Sequence, residues 1–222
     1  RQMKPDVLAR LFQQRSQTRL IRFDEQTLSN ADPGVLVARL WKRFRTIISP
    51  VNDQEFLRKM KLIAVDQDEV LRPTVSGVLM ATEHPEEFIA TAYVQAVCYR
   101  GTERNASYQL DAKDITGPLD VQVHEACRFV ERNMRVYAIK APNRIETPQF
   151  SMNAVFEAIV NAVVHRDYSI YGSKIRVHLF ADRLEIFSPG TIPNTMTIDS
   201  LSERQSARNE LLSSLLARCP MN

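Results

Sequence analysis

Residues 154–165, A-V-F-E-A-I-V-N-A-V-V-H, constrain this chain more than any other stretch. Set on a helix, the run is apolar on every side except at Glu157, Asn161 and His165, which fall four apart and so form one polar line. A helix apolar nearly all round is expected to be buried, and a carboxylate buried without a partner costs several kcal/mol. The line is therefore expected to face something that satisfies it: a protein network, water, or a ligand in a cavity.

The residues that follow have a different period. Tyr171-Gly172-Ser173 makes a turn, and from Lys174 to Phe180 the chain alternates, with Ile175, Val177 and Leu179 on one side and Lys174, Arg176 and His178 on the other. Ala181-Asp182-Arg183 then turns back into Leu184-Glu185-Ile186-Phe187, which predicts a β-hairpin with one face inward and His178 outward. Ser188-Pro189-Gly190 breaks the second strand. Further on, Arg208-Asn209 precedes Leu211, Leu212, Leu215 and Leu216, a pattern for an amphipathic helix with Asn209 as its cap.

Upstream, Leu119 to Arg132 reads as an amphipathic helix and Val136 to Ile145 as a strand-like stretch. Gly77 to Ala81 and Thr91 to Tyr99 are β-rich runs. From Val35 to Ile48 the set Leu36, Leu40, Phe44, Ile47 and Ile48 recurs at helical spacing, and Trp41 on the same helix is expected in the core. Asn52 or Asp53 can cap a second helix running to about Met60, and a short helix is expected from Pro5 to Gln14. Helices interleaved with strands predict an α/β (α+β) fold.

Composition removes several classes. With 44% hydrophobic and 25% charged residues the 222-residue chain is globular, and no run of about 18 apolar residues is present to span a membrane. Three cysteines far apart, with no C-x-x-C, speak against a disulfide framework or a zinc site and suit a reducing cytoplasm. Neither G-x-x-x-x-G-K-[ST] nor G-x-G-x-x-G occurs, so no P-loop motor and no Rossmann site is written here. His165-Arg166-Asp167 spells the kinase catalytic triplet, but Gly172 stands where a kinase needs asparagine. Residues 1–61 hold 13 Lys/Arg against 6 Asp/Glu, while 62–222 hold 16 against 20, which hints at a polyanion near the N-terminus or at a solvated helix surface. Arg1 stands where an initiator methionine would and no basic-then-apolar leader follows, so the chain is expected to be a piece of a longer one.

Glu157-x-x-x-Asn161-Ala162, a turn, and a hairpin ending at a glycine and Ile-Pro resemble the nucleotide-binding half of the GHKL ATPases, the superfamily of gyrase B and the sensor histidine kinases. More closely, E-A-I-V-N-A-V-V-H-R-D-Y, D-R-L-E-I-F-S-P-G-T-I-P and R-N-E-L-L resemble a bacterial RecG-related branch, also described as transcriptional regulators with a Schlafen/Alba-type DNA-binding domain in front. The resemblance is specific over about Leu119 to Cys219 and looser over 54–118. It implies a GHKL-like helix layer on a mixed sheet at 119–222, a helical or mixed linking region at 33–118, and the tail of the upstream Alba-type domain at 1–32.

The same resemblance implies roles. Asn161 would offer its amide oxygen to Mg²⁺ bridging the ATP phosphates, as a hard cation requires. Glu157 would be the general base towards water in hydrolysing members. His165, Ser188, Gly190 and Arg208 would be ATP contacts. Where the nucleotide-binding relatives carry an adenine-binding aspartate, this chain has Phe187-Ser188-Pro189-Gly190, and Ser188 offers a bond without charge assistance. The expected function is thus a DNA-associated regulator with a degenerate or nucleotide-sensing ATPase-like module. An active Mg-ATPase and a ligand-free dimerisation scaffold are the alternatives, and for Glu157 and Asn161 the alternative is a buried structural network. DNA is the expected partner, through the upstream domain, and a homodimer is admitted.

Overall fold

The computed structural model describes residues 22–140, 144–191 and 208–219. The expected helix at Pro5–Gln14 lies outside them. At the centre is a four-stranded mixed sheet of β3 (Val94–Tyr99), β4 (Gln109–Ile115), β7 (Ile175–Leu179) and β8 (Leu184–Phe187), in the order β4-β3-β7-β8. β3 and β7 run parallel, with Val94 opposite Ile175 and Cys98 opposite Leu179, while the two outer pairings are antiparallel. Parallel neighbours require a long crossover, and here it contains α4 (Leu119–Asn133), the hairpin β5 (Val136–Lys140) and β6 (Arg144–Pro148), and α5 (Met152–Val164).

Helices α4 and α5 bury their apolar stripes on one face of that sheet. Val123, Ala126, Phe129 and Val130 of α4 and Val155, Ile159 and Val163 of α5 share one core with Val94, Ala96, Cys98, Ile175, Val177 and Leu179. Val97, Tyr99 and Phe180 point to the other face, as the period of two demands, and form a small separate cluster. His178, expected outward, is 7% exposed there and meets the rings of Tyr99 and Phe180 edge-on at 5.7 and 6.3 Å. The stacked and edge-on rings of Tyr99, Phe180 and His178 make that face a second, minor core, which strand alternation cannot reveal.

A smaller helical and mixed layer, α1 (Ala38–Lys42), α2 (Asp53–Lys59), the β1 (Ile63–Val65)–β2 (Leu71–Pro73) hairpin and α3 (Val75–Ala81), joins the same core. Asn52 caps α2 by accepting from Glu55 N at 3.0 Å, as its sequence suggests. The expected helix at Val35–Ile48 shrinks to α1: Leu36, Leu40, Trp41 and Phe44 are buried, but Ile47 and Ile48 are fully exposed. There Arg45 binds Pro50 O and the Asp53 carboxylate, and Ser49 closes a turn on Thr46, so local polar bonds outcompete another helical turn.

Gly77–Ala81 is helix rather than strand. Thr74 Oγ1 accepts from Gly77 N at 3.0 Å to start α3, which is buried on all sides; a short, wholly apolar run carries no period that separates the two states. A β-carbon at Gly77 would lie 2.1 Å from Leu62 O, so only glycine admits this approach. Val136–Ile145, expected as one strand-like stretch, is divided between β5 and β6.

Two polar links tie distant segments together. Arg43 grips Asp120 at the start of α4 with both terminal nitrogens, at 2.5 and 2.8 Å, and also donates to Met80 O. Asp24, fully buried, accepts from Leu211 N and Leu212 N and so caps α6 (Glu210–Leu216) from the other end of the chain. The sheet takes β3 and β4 from before residue 119 and β7 and β8 from after it, so paired strands lie on both sides of that position.

Candidate functional site around helix α5

Helix α5 is not buried all round. Val155, Ile159, Ala162, Val163 and Val164 face the core, while Glu157, Asn161 and His165 lie exposed along the opposite side with Ala154 and Ala158. The open positions that looked apolar are alanines, whose exposure costs little, and that is why the all-round apolar pattern misleads. The alternative of a buried Glu157–Asn161 network is therefore wrong: among the described residues neither side chain makes a hydrogen bond, and both face water. Partial burial, and then the Arg208 cation, lower the pKa of His165 from 6.5.

At the C-terminal end of α5 the chain closes a tight polar seam. Ser188 Oγ donates to Ala162 O at 2.6 Å, which ties the end of β8 to the helix. Asp167 N donates to Pro189 O at 2.8 Å, and the Asp167 carboxylate takes the Ser169 amide and hydroxyl. Arg208 reaches the same carboxylate at 3.4 Å and donates to Thr191 O. Gly190 sits at φ +145, and a β-carbon there would stand 3.3 Å from Asp167 Cβ, so the seam needs glycine. Gly190, Arg208 and Asp167 are thus brought together and Ser188 joins the helix end, while Glu157 and Asn161 lie further up α5.

Asn209 occupies the N-cap position of α6, as expected, but its side chain does not cap that helix. It is 1% exposed and donates to Val164 O and Arg166 O, both at 2.8 Å, so it satisfies the orphan carbonyls at the end of α5. The capping of α6 falls to Asp24 instead. These two residues place Arg208 beside the polar line.

Sequence reasoning overlooked Arg166. It is 1% exposed, donates to Thr91 Oγ1 at 2.6 Å and Ser173 O at 3.0 Å, and lies 4.6 Å from the Tyr168 ring centre. Burial lowers its pKa below the usual arginine value, and Tyr168, also buried, donates to Val163 O. An arginine between a histidine and an aspartate reads as surface, and only the backbone turn after α5 turns it inward.

Among the described residues no three His, Cys, Asp or Glu gather as a metal cage, and no helix is long and apolar enough to cross a membrane.

The open polar helix face, the hairpin that follows and the basic seam stand together on the α+β core. Residues 172–222 match the family described as "Putative ATP-dependent DNA helicase recG C-terminal", so the C-terminal part of this chain is RecG-related. The match covers β7, β8 and α6 and begins after α5. Among solved structures, the whole chain superposes on the DIP2311 protein from Corynebacterium diphtheriae with a TM-score of 0.57 and 18% identity. The likeness is one of fold, and this chain spans 44% of that protein's length. No curated protein matches significantly.

Proposed function

We propose that this chain belongs to a bacterial DNA-associated transcriptional regulator whose RecG-related C-terminal module senses ATP with Mg²⁺. The observation that carries the reading is the open face of α5, where Glu157, Asn161 and His165 stand in line beside exposed alanines and the His165 end feels the Arg208 charge. The donor chemistry fits a magnesium-bridged polyphosphate: Asn161 has an uncommitted amide oxygen, and Arg208 is a cation at the helix end. Asn161 would hold the metal and Arg208 the phosphate oxygens, with Glu157 orienting water.

The base end is weaker. Ser188 spends its proton on Ala162 O and keeps only lone pairs for an exocyclic amine, with no charge behind them. That favours sensing over fast turnover. DNA recognition is assigned to the segment upstream, in keeping with the basic excess of residues 1–61.

The test is the thermal unfolding of the longer protein with ATP and Mg²⁺. A ligand at about 100 times its Kd adds ~2.7 kcal/mol, which is a shift of several degrees. Asn161→Ala should abolish the shift, and a wild-type protein whose Tm ATP·Mg²⁺ leaves unmoved would sink the proposal. Steady phosphate release lost in Glu157→Gln would instead establish the active ATPase.

A further inference from the structure

Helix α6 does not cap itself. Asn209 stands at its N-cap position, but its amide nitrogen donates to Val164 O and Arg166 O at the end of α5, at 2.8 Å each. The free amides of the first turn go instead to Asp24, which accepts from Leu211 N at 3.0 Å and Leu212 N at 3.3 Å. Leu212, Leu215 and Leu216 keep the body of the helix in the core, so the cap decides the state of the first turn alone. That turn starts from the two residues that reach α5 and its seam: Asn209, and Arg208 on the Asp167 carboxylate and Thr191 O.

Asp24 lies on a short piece of chain that is pinned on one side only. From Gln26 onward the backbone is fixed: Gln26 O accepts from Val75 N at 2.8 Å, Leu28 N donates to Pro73 O at 2.9 Å, and Thr27 bridges to Thr74. Before that point stand Arg22 and the single 3₁₀ turn Phe23–Glu25. Besides the cap, a half-buried Phe23 ring and two surface ion pairs, Arg22–Glu210 and Glu25–Lys61, hold this piece, and such pairs add little in water. An open cleft of about 260 Å³ separates it from part of α6 and the end of α2. Asp24 Oδ1 is buried with no partner among the described residues, a cost that undocking removes.

We infer that Arg22–Glu25 is a latch through which the chain upstream regulates the open face of α5. With Asp24 seated, the first turn of α6 closes and Arg208 stands at the seam; with Asp24 withdrawn, that turn frays and Arg208 and Asn209 are released together. The inference rests on the nucleotide reading for what Arg208 holds, and on geometry alone for the latch. Coupling between sites is reciprocal. A polyphosphate on Arg208 therefore tightens the seat of Asp24, and an upstream partner that draws Arg22 away weakens the polyphosphate's hold.

The latch and the ligand are tested separately. Without nucleotide, the Asp167 and Ser169 amides, which donate to Pro189 O and to the Asp167 carboxylate, report the position of Arg208. In proton–nitrogen correlation spectra of the full chain, Asp24→Ala should move both resonances in the direction that Arg208→Gln moves them. Asp24→Asn keeps an acceptor for α6 and should leave them near wild type. Resonances unmoved in Asp24→Ala overturn the latch, whether or not ATP binds. Moved resonances in a protein that ignores ATP·Mg²⁺ refute the nucleotide reading and keep the latch. With ATP·Mg²⁺, Asp24→Ala should weaken binding about tenfold in the wild-type background and less than about twofold beside Arg208→Gln. Equal losses in the two backgrounds overturn the inference. The unmutated chain gives a further readout: saturating ATP·Mg²⁺ should slow hydrogen exchange at the Leu211 and Leu212 amides at least about threefold, and a raised Tm with no such slowing counts against the latch.

Discussion

Asp24→Ala removes a buried cap that joins the two ends of the described chain. In the native protein one carboxylate oxygen accepts from Leu211 N at 3.0 Å and Leu212 N at 3.3 Å, while the other, Oδ1, is buried with no partner. Losing the cap costs about 1 kcal/mol, and leaving buried donors unsatisfied adds about 1–3 kcal/mol. Release of the desolvated carboxylate returns part of this, so a net loss of about 2 kcal/mol is expected. For a chain of this size that is roughly 4–8 °C in Tm. Asp24→Asn keeps an acceptor for both amides and should lose less than about 1 kcal/mol at neutral pH.

The pH dependence provides a separate check. Burial raises the Asp24 pKa above 3.8, against the pull of the Leu212 and Leu211 amides. A carboxyl with a raised folded pKa stabilises most below its unfolded value, and that contribution disappears as pH rises through the folded pKa. Wild type should therefore lead Asp24→Asn by most near pH 3, with the gap closing towards neutrality. Urea unfolding across that range is the assay. A gap that widens with rising pH, or an Asp24→Ala protein as stable as wild type, would refute the reasoning.

Arg43→Met strands the Asp120 carboxylate beside the core, where its side chain is only 11% exposed, and should cost about 3 kcal/mol in chemical denaturation. The double variant Arg43→Met/Asp120→Leu should recover part of that loss, since neither charge is then left alone. Burial and then Glu131 push the Cys127 thiol up to about 11, so at pH 8 it should react with a disulfide reagent at least about a hundredfold more slowly than a free cysteine. A rate near that of free cysteine would contradict its half-buried setting on α4.

Much of the fold is legible along the chain because its period is strong. Leu119–Asn133 repeats at helical spacing over four turns, and Ile175–Phe187 alternates about a three-residue turn, so both elements appear where expected. The line Glu157–Asn161–His165 is legible too, since spacing of four on one helix fixes a common side whatever surrounds it. Val75–Ala81 and the end of the Val35–Ile48 run are not, because what separates helix from strand or loop there is a cap at Thr74 and a set of bonds from Arg45.

Which way the polar line faces, and what stands beside it, is absent from any local pattern. Alanine at 154 and 158 is compatible with core or surface, and packing of the opposite stripe on β3 and β7 leaves these positions in water. Arg208 approaches Asp167 only because Asp24 and Asn209, one from each end of the described chain, anchor α6. Periodicity follows from bonds between neighbours and can be read residue by residue. Burial and the pairing of charges arise from contacts between segments far apart, and they exist only once the chain has closed on itself.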